Sequence, residues 1–280
     1  MSDGDLTLRF WGVRGSIACP GPEYARYGGN TSCLELRYGG RLAIFDAGSG
    51  LRGLGQKLKA EAPLDSHIFL THTHMDHIAG IPFFAPFFQK GNRFRVHAGH
   101  LSGEHGLHDV VCAFMKAPLF PVPFPVPPDI FAAEIDYLNF KAGETLEVEG
   151  GLTLKTAPLN HPNGATGYRM EYGGKSICYI TDTEHVPGKP DRNILKLIEG
   201  ADMMIYDSSF TDEEFGNFVG WGHSTWQEGV RLGEAAGVGQ VVVFHHDPAH
   251  EDDFMDRVAE EAEAMRPGTL IAREGMVLQP

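Results

Sequence analysis

Leu70-Thr71-His72-Thr73-His74-Met75-Asp76-His77 places four metal-competent side chains within six residues, directly behind an apolar stretch, His67 to Leu70, that reads as a strand. While the chain stays extended, His72 and His74 lie on one side, because strand side chains alternate. Asp76 and His77 follow after a turn. A single tetrahedral ion is hard to surround with four ligands from so short a segment, whereas two ions roughly 3.5 to 4 Å apart share them readily. Any one of these histidines alone reads as an ordinary surface or hydrogen-bonded side chain; the unit H-x-H-x-D-H does not.

Upstream, short strands separated by Gly-rich turns are expected at Leu6 to Trp11, Cys33 to Tyr38 and Arg41 to Asp46. Downstream come a Phe-rich stretch from Ile78 to Phe88, a strand at Phe94 to His97 and a helix from Glu104 to Met115. Pro118 to Pro128 is too proline-dense for a helix or a central strand and reads as an extended loop. A stiff surface connection is its plain reading; Phe120 and Phe124 as a pocket wall or subunit contact is the sharper one. Strands resume at Phe131 to Leu138, Thr145 to Val148, Leu152 to Ala157, Tyr168 to Tyr172, Ser176 to Thr181, Met203 to Tyr206 and Val241 to Phe244. Helical patterns at Asn193 to Glu199, Thr225 to Ala236 and Asp253 to Met265 lie among the later strands, predicting a sheet sandwich flanked by helices. No sequence repeat is visible.

The 280 residues suit one large domain, 1–280. The start lacks a basic and apolar leader and no apolar run is long enough to span a bilayer, so no membrane association and a cytoplasmic location are expected. Cys19, Cys33, Cys112 and Cys178 are scattered without a C-x-x-C pair, which points to buried small hydrophobes. A formal charge of −14 with no basic stripe argues against a long nucleic acid as partner. Bound divalent cations would reverse the potential locally, so a small anionic ester stays compatible. Whether the chain forms a homodimer is left open.

The H-x-H-x-D-H segment resembles the signature of the metallo-β-lactamase superfamily, and the resemblance covers nearly the whole chain. It implies an α/β (α+β) fold, the four-layer αββα sandwich, and a binuclear metal centre. His161 in Pro158-Leu-Asn-His161-Pro, Asp182 in Tyr179-Ile-Thr-Asp182-Thr and His245 in Val241-Val-Val-Phe-His245-His-Asp-Pro fit the remaining ligand positions, with His246 as an alternative to His245. By this resemblance His72, His74, His161 and Asp182 hold one ion, while Asp76, His77, Asp182 and His245 hold the other, Asp182 bridging. Asp76 is counted among the catalytic residues as well. Zinc is the first expectation, with manganese or iron as alternatives. A bridging water acidified to hydroxide is then the nucleophile of a hydrolase.

Ile205-Tyr-Asp207-Ser-Ser-Phe and Gly222-His223-Ser-Thr-Trp-Gln227 are similar to the ribonuclease Z and phosphodiesterase branch. There, His223 corresponds to a proton donor or charge stabiliser at the leaving oxygen, with Asp207 orienting it; Ser224 as a helix cap is the structural alternative. Ribonuclease Z proteins carry a long transfer-RNA-gripping arm between the positions of His161 and Asp182, and no such arm fits between them here. The resemblance therefore implies a phosphodiesterase acting on a small phosphodiester, such as a cyclic nucleotide or cyclic phosphate. Lactone, lactam or thioester hydrolysis on the same metals is the alternative. A redox di-iron or metal-bound sensor protein is a third reading, against which His74 speaks, since the di-iron branch has glutamate there. The turns Trp11-Gly-Val-Arg14-Gly-Ser and Tyr27-Gly-Gly-Asn30-Thr-Ser are expected beside the metals, with Arg14 on a phosphate oxygen. Asp46 is expected to buttress the metal loop, and His97, His100, His105 and His108 to be structural.

Overall fold

The structure, a computed structural model, describes residues 6–101, 105–121 and 132–280. The first half supplies β1 (Thr7–Gly12), β2 (Cys33–Tyr38), β3 (Arg41–Phe45), α1 (Gly50–Leu58), β4 (Asp65–Leu70), α2 (Met75–Ile78), β5 (Arg93–Ala98), α3 (Leu107–Phe114) and β6 (Glu134–Asn139). The second supplies β7 (Thr145–Val148), β8 (Leu152–Leu159), β9 (Ala165–Tyr172), β10 (Lys175–Ile180), α4 (Arg192–Ile198), β11 (Met203–Asp207), α5 (Asp212–Phe215), α6 (Trp226–Ala235), β12 (Gln240–Phe244), α7 (Asp252–Met265), β13 (Leu270–Ile271) and β14 (Val277–Leu278). Glu104, Phe124, Phe131 and residues 122–128 of the proline-rich loop fall outside the described residues.

Among the described residues the strands form two seven-stranded sheets, ordered β14-β1-β2-β3-β4-β5-β6 and β13-β12-β11-β10-β9-β8-β7. Each joins antiparallel hairpins to a parallel run: β3 to β6 are parallel in one, β10 to β13 in the other. The two halves thus share an architecture that no sequence repeat announces. Alternate side chains of both sheets meet in a core containing Phe10, Phe45, Phe69, Tyr168, Tyr179 and Phe244. Strands β4, β10, β11 and β12 are buried along nearly their whole length because both faces are covered, and β12 is a nearly continuous apolar run. The outer face of the first sheet buries Leu51, Leu54 and Leu58 of α1. The outer face of the second packs residues of α4 and α6, including Ile194, Ile198 and Leu232, and a further cluster joins Trp226 and Val230 of α6 to Met255 and Val258 of α7. The layers run helix, sheet, sheet, helix, the four-layer α/β sandwich that the resemblance implies.

Several expectations shift. The Phe-rich stretch forms short 3-10 turns, at Ile81–Phe83 and Ala85–Phe88, whose Pro82 and Pro86 sit in the first turn where a missing N–H costs nothing. Helix α1 was not expected, since its glycines lower helix propensity; a Cβ on Gly55 would press on Phe84, so the glycine serves close packing. Phe120 is half-buried, its ring edge-on to Phe83 at 5.9 Å against the outer core of the first sheet. Among the described residues no helix is long and apolar enough to cross a membrane.

His97 on β5 stacks on Phe69 at 4.5 Å, and burial lowers its pKa from 6.5 to about 3. Its folded pKa lies below the unfolded one, so the unfolded chain binds the proton first and the stability it contributes is lost as pH falls from 6.5 toward 3. His97→Gln is expected to flatten the fall of the urea midpoint over that window; an unchanged slope would remove His97 from the account of acid sensitivity.

Candidate metal centre

The chemistry-bearing side chains collect where strands end. His72 follows β4, His161 follows β8, Asp182 follows β10, Asp207 closes β11 and His245 follows β12. Asp46, Asp182 and His245 all take positive φ, 58°, 61° and 64°, which turns each side chain sharply off its strand. That conformation costs a non-glycine residue about 1 to 2 kcal/mol; the surrounding hydrogen bonds hold it. Gly15 lets the first turn close over this edge, because a Cβ there would press into the His245 ring.

Asp76 Oδ2, His77 Nε2, Asp182 Oδ2 and His245 Nε2 form one buried quartet. His77 Nε2 stands 3.3 Å from Asp76 Oδ2, 3.1 Å from Asp182 Oδ2 and 3.4 Å from His245 Nε2. His245 Nε2 stands 3.4 Å from each carboxylate. Ligands of a tetrahedral zinc at usual bond lengths are separated by about 3.3 Å, so these spacings suit one ion. His72, His74 and His161 make the neighbouring group. His161 Nε2 lies 3.0 Å from His74 Nδ1, and both His72 Nε2 and His161 Nε2 lie 3.7 Å from Asp182 Oδ1. His72 Nε2 is buried with no hydrogen-bond partner among the described residues, an expense a metal ion would remove. Asp182 turns one oxygen to each group, so the residues fit two ions sharing a bridge.

The second nitrogen of each histidine is held. His77 Nδ1–H donates to Asp46 Oδ2 at 2.8 Å, His161 Nδ1–H to the Gly222 carbonyl at 2.8 Å, and His74 Nε2–H to Asn163 Oδ1 at 3.3 Å. His245 Nδ1 meets Ser209 Oγ at 3.1 Å and His72 Nδ1 meets Thr71 Oγ at 3.1 Å. Such partners fix the tautomer that presents the free nitrogen to a metal. Asp46, fully buried, also accepts from Thr71 N and Tyr179 O–H, each at 2.8 Å, and so buttresses the loop as the sequence suggested. Asp46→Asn is expected to weaken metal affinity about 10- to 100-fold with the fold intact, read by competition with a chelating dye; unchanged affinity would show that Asp46 does not orient His77.

Asp207 accepts from His223 Nδ1–H at 3.1 Å, Thr183 N at 3.0 Å and Ser209 Oγ at 2.9 Å. Burial pushes its pKa up, but the charge and hydrogen bond of His223, together with nearby His245, outweigh it and hold the carboxyl below its usual range. For His223 burial opposes the charge, yet Asp207, then Asp182 and Asp76, raise its pKa to about 9. Cations in the centre would oppose the last two, leaving Asp207 as its partner. The His223 ring lies 5.0 Å from His245 and 5.3 Å from His161, between the two ligand groups. For Asp76, burial again works upward, but His77 and His245 hold the carboxyl far below its usual range.

Two readings of the sequence are resolved against an alternative or corrected. His246 is fully buried and donates from Nε2 to the Ala272 carbonyl at 2.9 Å, which leaves His245 to face the centre. Arg14 is not an open anion ligand: its guanidinium is fully buried, giving Nε–H to the Gly28 carbonyl and Nη1–H to those of Asp247 and His250. The turn is beside the centre, but its contact is the Ser16 backbone N–H, which donates to Asp76 Oδ2 at 2.8 Å. No support of a histidine is expected from Asn163, Ser209 or Gly222, although Ser209 and Gly222 lie within the Asp207 and His223 motifs and the Asn163-Gly164 turn signal follows His161 by two residues.

A sandwich carrying a buried histidine and aspartate centre at its strand ends defines a metallo-β-lactamase-fold hydrolase. The family model described as the beta-lactamase superfamily domain matches residues 41–246, and the chain belongs to that family. It is 24% identical to a ribonuclease Z of Methanothermobacter thermautotrophicus, over 89% of this chain and 91% of that one. Among solved structures, the metallo-β-lactamase fold protein YhfI of Bacillus subtilis superposes with TM-score 0.73 at 21% identity, covering 99% and 100% of the two chains. The short form of human tRNase Z superposes with TM-score 0.67 at 19% identity, covering 97% and 98%. The ribonuclease relatives overturn the expectation that a long nucleic acid is an unsuitable partner. Net charge was the wrong guide, because it averages over the molecule and takes no account of the cations that the ligand groups at one edge would hold.

Proposed function

We propose that this chain is a two-metal phosphodiesterase, with a small diester such as a cyclic nucleotide or cyclic phosphate as its substrate. The observation that carries the reading is His223, pinned through Nδ1 to buried Asp207 and set between the two ligand groups. Bound at those groups, two divalent ions supply charge neutralisation for phosphoryl oxygens and an acidified water. His72, His74 and His161 would hold one ion and Asp76, His77 and His245 the other, with Asp182 offering one oxygen to each group. His223 then offers Nε2–H to the departing ester oxygen, which leaves as an alcohol, while Asp207 stabilises the imidazolium before transfer and fixes the ring. The stretch from His161 to Asp182 is taken up by the tight β9–β10 hairpin, and that compactness supports the small-diester form.

The test is a substrate panel with zinc-, manganese- or iron-reconstituted protein: bis(p-nitrophenyl) phosphate, 3′,5′-cyclic nucleotides, an RNA with a 3′ extension, a chromogenic lactam and a thioester. Turnover of diesters with cyclic nucleotides preferred is the expected outcome. Preference for the RNA would correct the substrate size, and lactam or thioester turnover without diester cleavage would overturn the reading.

A further inference from the structure

Trp221, two residues before His223, is 63% exposed. Gly222 between them has φ +86°, and a Cβ there would press into Pro162 and His161 Nδ1, so the loop lies directly against a candidate metal ligand. The Glu184 carboxylate accepts from the backbone N–H of both Gly220 and Gly222, at 2.7 and 2.9 Å. The indole is backed by Phe218, edge-on at 5.3 Å, which stacks on Phe210 at 4.3 Å; Phe210 in turn stands 6.2 Å from the His223 ring. An aromatic series therefore runs from the centre to an open indole on a loop pinned at three backbone groups, the Gly220 and Gly222 N–H and the Gly222 carbonyl, which accepts from His161 Nδ1–H.

We propose that Trp221 is a stacking platform for a planar ring carried by the substrate, a nucleobase, and thus a specificity-determining residue. This rests on the phosphodiesterase reading. The Trp221 and His223 Cα atoms can be no more than about 7 Å apart, so a nucleotide whose phosphate meets His223 is long enough to carry its base to the loop that bears the indole. A braced platform loses little freedom on binding, and stacking serves any base because each has a π-face.

The test compares thymidine 5′-(p-nitrophenyl phosphate) with methyl p-nitrophenyl phosphate on the metal-loaded protein. Trp221→Ala is expected to lower the ratio of kcat/KM for the nucleoside ester over the methyl ester about 10- to 100-fold, through KM, and Trp221→Phe to restore most of it. Independently, thymidine 5′-monophosphate should quench tryptophan emission in the native protein and not in Trp221→Phe, which keeps Trp11 and Trp226. Tighter quenching by an oligoribonucleotide than by the mononucleotide would assign the stacked base to a polynucleotide end, and the reverse order to a free nucleotide. An unchanged ratio in Trp221→Ala, or quenching that survives in Trp221→Phe, would overturn the proposal. If neither ester is cleaved, the phosphodiesterase reading fails and the quenching alone decides the stacking.

Discussion

Asp182→Ala should bind neither metal ion stoichiometrically and should lose diester turnover by about a thousandfold or more. Both ligand groups depend on this side chain, Oδ1 toward His72 and His161 and Oδ2 toward His77 and His245. Removing it takes an anionic ligand from each, and metal assistance worth several kcal/mol corresponds to about three powers of ten in rate. Asp182→Asn separates the bridge from simple packing, because the amide keeps the volume yet offers only one acceptor oxygen. Metal per chain by atomic spectroscopy, beside kcat, reads both effects. Two ions retained with turnover within tenfold of the native protein would show that Asp182 is no bridge.

His223→Ala should behave differently, keeping two ions and losing kcat by about 10²- to 10⁴-fold on an alkyl diester. The loss should shrink on a p-nitrophenyl ester, whose departing oxygen needs no proton, and that contrast separates proton donation from electrostatic support. Because His223 also comes near His161 and Asp182, it is itself placed to reach a metal. A variant with one site empty would make it a ligand and end its assignment as the proton donor.

What was legible in the sequence follows from range. The strands leading to the centre are short, apolar and locally patterned, so β2 and β4 could be read almost to their ends, and the H-x-H-x-D-H unit concentrates its ligands within one turn. His161, Asp182 and His245 became readable only through the resemblance, since each closes a different strand and nothing local links them. Helix α1 was invisible because its three leucines are diluted by glycines kept for close packing. Arg14 misled for a related reason: a Gly-flanked arginine beside a metal loop looks like an anion ligand, and only the tertiary fold shows the carbonyls of Gly28, Asp247 and His250 claiming it. The supports of the histidines, Asn163, Ser209 and the Gly222 carbonyl, are contacts across 36 to 89 residues and leave no periodic trace.

The most direct test of the central claim is a titration of the metal-stripped chain with zinc, repeated with manganese, while bis(p-nitrophenyl) phosphate hydrolysis is followed. No turnover is expected without metal, and a plateau at about two ions per chain, the number the paired ligand groups fit. Turnover in the stripped protein, a plateau at one ion, or silence at two would contradict it.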